Sequence, residues 1–83
     1  MDHLARTPRQ IGTLIRRARK KHGWNQGQLA DKAGLRQATI SLIETGHDAA
    51  KLDTLLRVIA ALDLELKISA RRKSSPADIE GLL

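Results

Sequence analysis

The sequence predicts a mainly α-helical domain of four short helices followed by one β-strand. Three observations predict it. Apolar residues recur at helical spacing in segments that open on capping residues, several of them closed by a glycine. Only Gly34 and Leu35 clearly separate the second segment from the third. After Asp63 the apolar period changes to two, over Leu64, Leu66 and Ile68.

The first helix is read from Pro8 to His22. Thr7 is its N-cap with Gln10 three residues on, Pro8 suits the first helical position, and Gly23 follows the end. Ile11, Leu14, Ile15 and Ala18 form its apolar stripe, which leaves Arg16, Arg17, Lys20 and Lys21 mostly on the remaining surface. The second helix runs from Gln26 to Ala33, capped by Asn25 with Gln28 at the reciprocal position, and Gly34 supplies a left-handed exit. The third spans Arg36 to Thr45 and is followed by Gly46. The fourth, Leu52 to Leu62, carries Leu52, Leu55, Leu56, Ile59 and Leu62 on one face and is the strongest helical signal in the chain.

Leu64, Leu66 and Ile68 alternate with Glu65, Lys67 and Ser69, the pattern of a half-buried strand. A lone strand leaves its backbone groups unpaired, and no second strand candidate exists in the sequence. Pairing with the same strand of a second copy across a two-fold axis is the simplest remedy. A rival reading extends the fourth helix through this segment. The domain is therefore bounded at 8–69, with a flexible arm at 1–7 and a flexible tail at 70–83. Within the tail, Ser75, Pro76 and Asp78 form a helix-start signal ahead of Ile79, Leu82 and Leu83, which fits either folding on a partner or plain terminal disorder.

Composition narrows the function. Eighty-three residues support one small core, built from Leu, Ile, Val and Ala because the chain has one Trp and no Phe or Tyr. Without Cys there is neither a disulfide nor a thiolate metal site, and His3, His22 and His47 share no ligand spacing, so no metal or cofactor is expected. No Gly-rich phosphate loop, nucleophile elbow or paired carboxylates point to an enzyme. Nothing resembles a signal peptide or a membrane span, and a soluble cytoplasmic protein is expected. The net charge of +6 is concentrated: residues 1–23 hold seven Lys/Arg against one acid. An excess focused on one segment suits a polyanion, nucleic acid before membrane, although a solvated basic helix face explains the charge equally well.

Two short helices joined by a tight Gly-containing turn define a helix-turn-helix, here over residues 26–45. Ala30 is small where the helices cross, and Leu35, Ile40 and Ile43 anchor the third helix beside Leu29. That anchoring turns Arg36, Gln37, Ala38 and Ser41 outward. Gln37 can pair bidentately with adenine, Arg36 can read guanine or grip a phosphate, Ala38 can touch a thymine methyl, and Ser41 can donate or accept. Gln26, at the start of the second helix, is placed for a phosphate, and Thr39, Thr45, His47, Lys51 and Arg17 are further phosphate candidates. Trp24 can stack on a base or pack over the first two helices, the latter being the ordinary role. Leu42 falls off the stripe of Ile40 and Ile43 and serves as a rim residue or a protein interface.

The stretch from Ile11 to Leu66 resembles the Cro/C1 (XRE) helix-turn-helix family, through LADKAGL-x-QATIS-x-IE-x-G. GWNQ-x-x-LA, GL-x-QATIS, LDTLLRVIAALDLEL and the strand that follows resemble, more narrowly, the HipB-type antitoxins of HipBA toxin–antitoxin modules. The resemblance implies a homodimeric repressor of its own operon, bound to an inverted-repeat operator of double-stranded DNA. It also implies neutralisation of a HipA-type Ser/Thr kinase toxin by complex formation, a dimer closed by the C-terminal strand, and a labile tail. It implies as well that Arg19 pairs with Glu44. Two positions depart from the family pattern: Arg36 and Lys51 stand where small polar caps are common. A stand-alone phage-type or housekeeping repressor without a toxin is the alternative.

Overall fold

The computed structural model describes residues 3–47 and 50–71; the helix-start signal read within 72–83 lies outside the described residues. Its helices are α1 (Pro8–Lys21), α2 (Gln26–Ala33), α3 (Gln37–Glu44) and α4 (Leu52–Ala61). His22, Arg36, Thr45 and Leu62, which the sequence placed at helix ends, serve as caps.

The capping chemistry explains most of these boundaries. The Thr7 hydroxyl accepts from the Gln10 amide at 3.1 Å, while the Gln10 side chain reaches past the cap and accepts from the Arg6 amide. Asn25 and Gln28 form a reciprocal capping box, each side-chain oxygen 2.8 Å from the other's backbone nitrogen. Gly34 closes α2 at φ 69°, where a Cβ would be strained, and lets the chain reverse directly into α3. Arg36 and Lys51 make no side-chain cap bond, so α3 and α4 both begin without one.

Ile15, Leu29, Ala30, Ala33, Ile40, Ile43, Val58 and Leu62 form the buried core, with Ile11, Ala18, Trp24, Leu35, Leu55 and Ala61 packed on it. The expected apolar face of α4 is only half right. Leu52 and Leu56 are 66% and 43% exposed, whereas Val58, which lies beside that face in sequence, is fully buried. The apolar arc of α4 is wider than one contact; its position against α2 selects the edge carrying Leu55, Val58 and Leu62. Burying side chains of this size stabilises by roughly 1.5–3 kcal/mol each on either edge, so the placement of α4 and not side-chain size makes that choice.

α1 crosses α3 at Gly12, where an added Cβ would sit 2.7 Å from the Glu44 carbonyl oxygen and closer still to that of Ile43. Gly12 is buried, and no periodicity argument marks it, because glycine contributes nothing to an apolar stripe. His22 ties the far end of α1 to α4: its Nε2 lies 3.0 Å from the Leu62 carbonyl oxygen, and its ring stacks on Trp24 at 4.3 Å. Lys32 places Nζ 4.7 Å from the centre of the indole ring, so Trp24 is held between two side chains at the edge of the core.

The helical extension beyond α4 does not form. Asp63 adopts φ 58°, and the Leu64 amide closes back on the Ile59 carbonyl at 3.0 Å, a left-handed helix exit. Residues 64–71 then carry neither helix nor strand, and Leu64, Leu66 and Ile68 are exposed. Within one chain nothing among the described residues offers this segment a backbone ladder, so the period-two pattern is left without the pairing that would make it a strand.

Candidate nucleic-acid interface

The geometry of the helix-turn-helix is set from beneath by one carboxylate. Glu44, at the end of α3, receives Arg19 Nε at 2.7 Å on Oε2 and Arg19 Nη2 at 3.0 Å on Oε1. The two side chains keep 10% and 3% of their exposure, so the pair is nearly dry. Arg19 also donates from Nη1 to the Trp24 carbonyl at 2.8 Å, and Gln26 Nε2 donates to Glu44 Oε1 at 3.3 Å. One carboxylate thus joins α1, α2 and α3, and Arg19 ties in the turn between α1 and α2. The carboxylate's hydrogen bonds push the Arg19 guanidinium above the ordinary arginine value, against the opposing effect of burial.

Above this cluster, the start of α3 faces outward. Arg36, Gln37 and Ala38 are exposed, and Ser41, one turn on, is half-buried. The side-chain oxygen of Gln37 lies 3.7 Å from where a Cβ on Gly27 would stand, so the first turns of α2 and α3 meet on one surface. Gln26 belongs to that surface; with one Nε2 hydrogen given to Glu44, its second remains available as a donor. Thr39 is half-buried on the same helix, and Lys51 and His47 are exposed around the turn after α3.

Two sequence candidates sit less favourably. The Thr45 hydroxyl donates to the backbone, within 3.0 Å of the Ser41 carbonyl and 3.1 Å of that of Leu42, so gripping a phosphate would require releasing it. Arg17 lies along an open groove with Leu4, Arg9, Gln10 and Leu14, and on the helical wheel it stands about 140° from Gly12, turned from the side that faces α3. Sequence reasoning missed Gly12 and the His22 clasp. A helical glycine directly opposite the closest crossing has no compositional signal, and a carbonyl forty positions away is invisible to local pattern. Leu42 is 49% exposed, as its place off the stripe requires. Among the described residues no group of His, Asp or Glu could hold a metal ion, and no helix is long and apolar enough to cross a membrane.

Known proteins bear on this arrangement. A helix-turn-helix family model matches residues 15–68. The antitoxin HipB of Escherichia coli (strain K12) is 32% identical over 74 residues, covering 89% of this chain and 84% of that protein. An uncharacterized HTH-type transcriptional regulator of Sinorhizobium fredii, y4mF, is 35% identical over 71 residues, covering 82% of this chain and 93% of its own. Among solved structures, a HipA–HipB–O2–O3 complex contains a chain superposing with a TM-score of 0.79 at 30% identity, over 86% of this chain and 100% of that one. A HipB–O1–O2 complex does so with a TM-score of 0.74 at 31% identity, over 81% and 97%. The chain belongs to the helix-turn-helix family of Cro/C1 (XRE) type and, within it, to the HipB-type antitoxins.

Proposed function

We propose that this chain is a sequence-specific DNA-binding repressor and antitoxin. As a homodimer it binds an inverted repeat in its own operon, and it neutralises a HipA-type Ser/Thr kinase toxin by forming a complex with it. The observation that carries the DNA reading is the exposed first turn of α3, with Arg36, Gln37 and Ala38 on the surface that it shares with the start of α2. These side chains, with Ser41, read base edges in the major groove; Gln26, Thr39, His47 and Lys51 grip the phosphates on either side. The recognition helices of the two protomers are spaced about one turn of duplex, near 34 Å.

Removing Gln37 with Gln37→Ala is expected to weaken binding to the selected operator by roughly 1–3 kcal/mol and to relax preference at one base position. Lys51→Ala should instead weaken all duplexes alike and lower the salt slope by about one. Titration of both variants against selected and scrambled duplexes distinguishes the roles, and equal shifts on both duplexes would refute them. The same titration should saturate at two chains per operator.

Dimerisation through residues 64–68 is supported by exposed apolar side chains on and after α4: Leu52 and Leu56 on the helix, and Leu64, Leu66 and Ile68 beyond it. Pairing two copies supplies each segment with a backbone ladder and covers those side chains. Support for the toxin comes from the HipB relatives, one of them solved together with HipA. A pull-down with the full-length chain, and with residues 72–83 deleted, is expected to recover a kinase-like protein with the full-length form. The y4mF relative favours a second reading, a stand-alone transcriptional regulator, and recovery of DNA alone would establish that reading. In either case the site of action is the cytoplasm.

A further inference from the structure

We infer that α1 provides a second DNA-contacting surface, in which Arg9, Arg16 and Lys20 follow the sugar–phosphate backbone beside the groove that α3 enters. This rests on the DNA-binding reading above and adds a surface outside the recognition helix and its flanking turns.

α1 contains no acidic residue, and Arg9, Arg16, Arg17, Lys20 and Lys21 are all exposed. Among the described residues none of the five forms an ion pair; Arg19 alone on this helix does so. Charge by itself does not separate a DNA contact from a solvated helix face. Position does. Gly12 abuts the end of α3, and Arg19 reaches under it to Glu44, so these two mark the side of α1 that faces α3. At 100° per residue, Arg16 stands about 40° to one side of Gly12 on the helical wheel, and Arg9 and Lys20 follow a further roughly 20–40° round on the same shoulder. The Cα of Arg9 lies 2.8 Å from where a Cβ on Gly46 would stand, beside the turn that leaves α3. Lys20 adjoins Arg19, whose guanidinium shares Glu44 with Gln26 at the start of α2.

The stripe therefore begins at the turn after the recognition helix, one of the places assigned above to phosphate contacts, and ends in the last turn of α1, where the chain leads on to α2. Eleven residues of helix rise cover about 16 Å, close to the axial rise of five nucleotides on one strand. The cations are held on the same rigid unit as α3 and continue its polar surface, which favours a duplex backbone over an acidic protein. Arg17 and Lys21 stand about 140° and 180° from Gly12 by the same count, so although Arg9 borders the groove that Arg17 lines, neither belongs to the stripe.

The test compares wild type with the triple variant Arg9→Gln, Arg16→Gln and Lys20→Gln, all exposed positions, after equal melting temperatures confirm that both are folded. Each is titrated over a range of salt against a long duplex carrying the selected site and against one trimmed to the bases read by α3. On the long duplex the slope of log K against log salt should fall by about 2–3 in the triple variant, with the preference for selected over scrambled sequence unchanged. Trimming should bring the wild-type slope down towards that of the variant. The double variant Arg17→Gln and Lys21→Gln should keep the wild-type slope. An unchanged slope in the triple variant overturns the inference and leaves a solvated or protein-facing stripe; an equal drop in the double variant overturns the placement. If wild type shows no sequence preference and Gln37→Ala changes nothing, the DNA-binding reading fails first and this inference with it.

Discussion

Glu44→Ala is expected to lower folding stability by about 3 kcal/mol, because it leaves the Arg19 guanidinium nearly buried with its main partner removed. The loss is greater than that of an exposed ion pair, since the two side chains are largely dry and bonded bidentately. It also removes the acceptor of Gln26 and so loosens α2 against α3. For a domain of this size the effect corresponds to a fall in Tm on the order of 15 °C. Thermal melts at one fixed protein concentration measure it, since a dimer's Tm depends on concentration. A melting temperature unchanged in the variant would show that the pair braces nothing. The double variant Arg19→Met with Glu44→Leu should recover much of the loss, because two apolar side chains of similar volume leave no buried charge. The arginine's raised pKa means that its stabilising contribution is complete below the unfolded-state value and is lost only as pH rises through the still higher folded value. The pair therefore lends no pH dependence of its own through the guanidinium anywhere near neutrality.

Gly12→Val is expected to cost about 3 kcal/mol, for the opposite reason, an excess of atoms rather than a deficit. A Cβ at this position meets two backbone carbonyls, and backbone at a helix end cannot swing aside as a flexible side chain can. The gain from replacing a helical glycine, roughly 0.5–1 kcal/mol, is too small to offset that clash. Moving α1 away from α3 would relieve it but would draw Arg19 off Glu44, so the two predictions share one structural cause. Gly27→Ala is the control: its Cβ would be 3.3 Å from Asn25 Oδ1 and 3.7 Å from Gln37 Oε1, a fit that needs only a small adjustment. Denaturant titration of the two variants should show opposite behaviour, a large loss for Gly12→Val and a change near zero for Gly27→Ala. A Gly12→Val protein as stable as wild type would mean that α1 and α3 do not cross as closely as described.

The parts of the fold legible in the sequence are those governed by short-range chemistry. Thr7, Asn25 and Gly34 act within a few residues of themselves, and each sets a boundary where it was read. The outward turn of Gln37 and Ala38 follows from the same local logic, because Ile40 and Ile43 can face only one way once the helix exists. Three features resisted that logic. α4 has apolar side chains over more than one contact's width, and periodicity cannot say which edge is covered; Val58 and Leu62 are buried while Leu52 is not. The His22–Leu62 contact joins two helix ends that no local rule relates. The segment carrying Leu64, Leu66 and Ile68 has a strand's pattern, but its hydrogen bonds depend on a neighbour that its own sequence cannot place.

By itself, then, the sequence determined four helices, two of them opened by side-chain caps, a helix-turn-helix and the outward residues of α3, because caps, glycines and apolar spacing act through bonds spanning one or two turns. Tertiary structure alone decided how closely α1 approaches α3, which edge of α4 is buried and which cations of α1 border the α3 surface. Each of those depends on distances between helices, fixed by steric contact at Gly12 and by the buried Arg19–Glu44 pair, whose partners lie far apart along the chain.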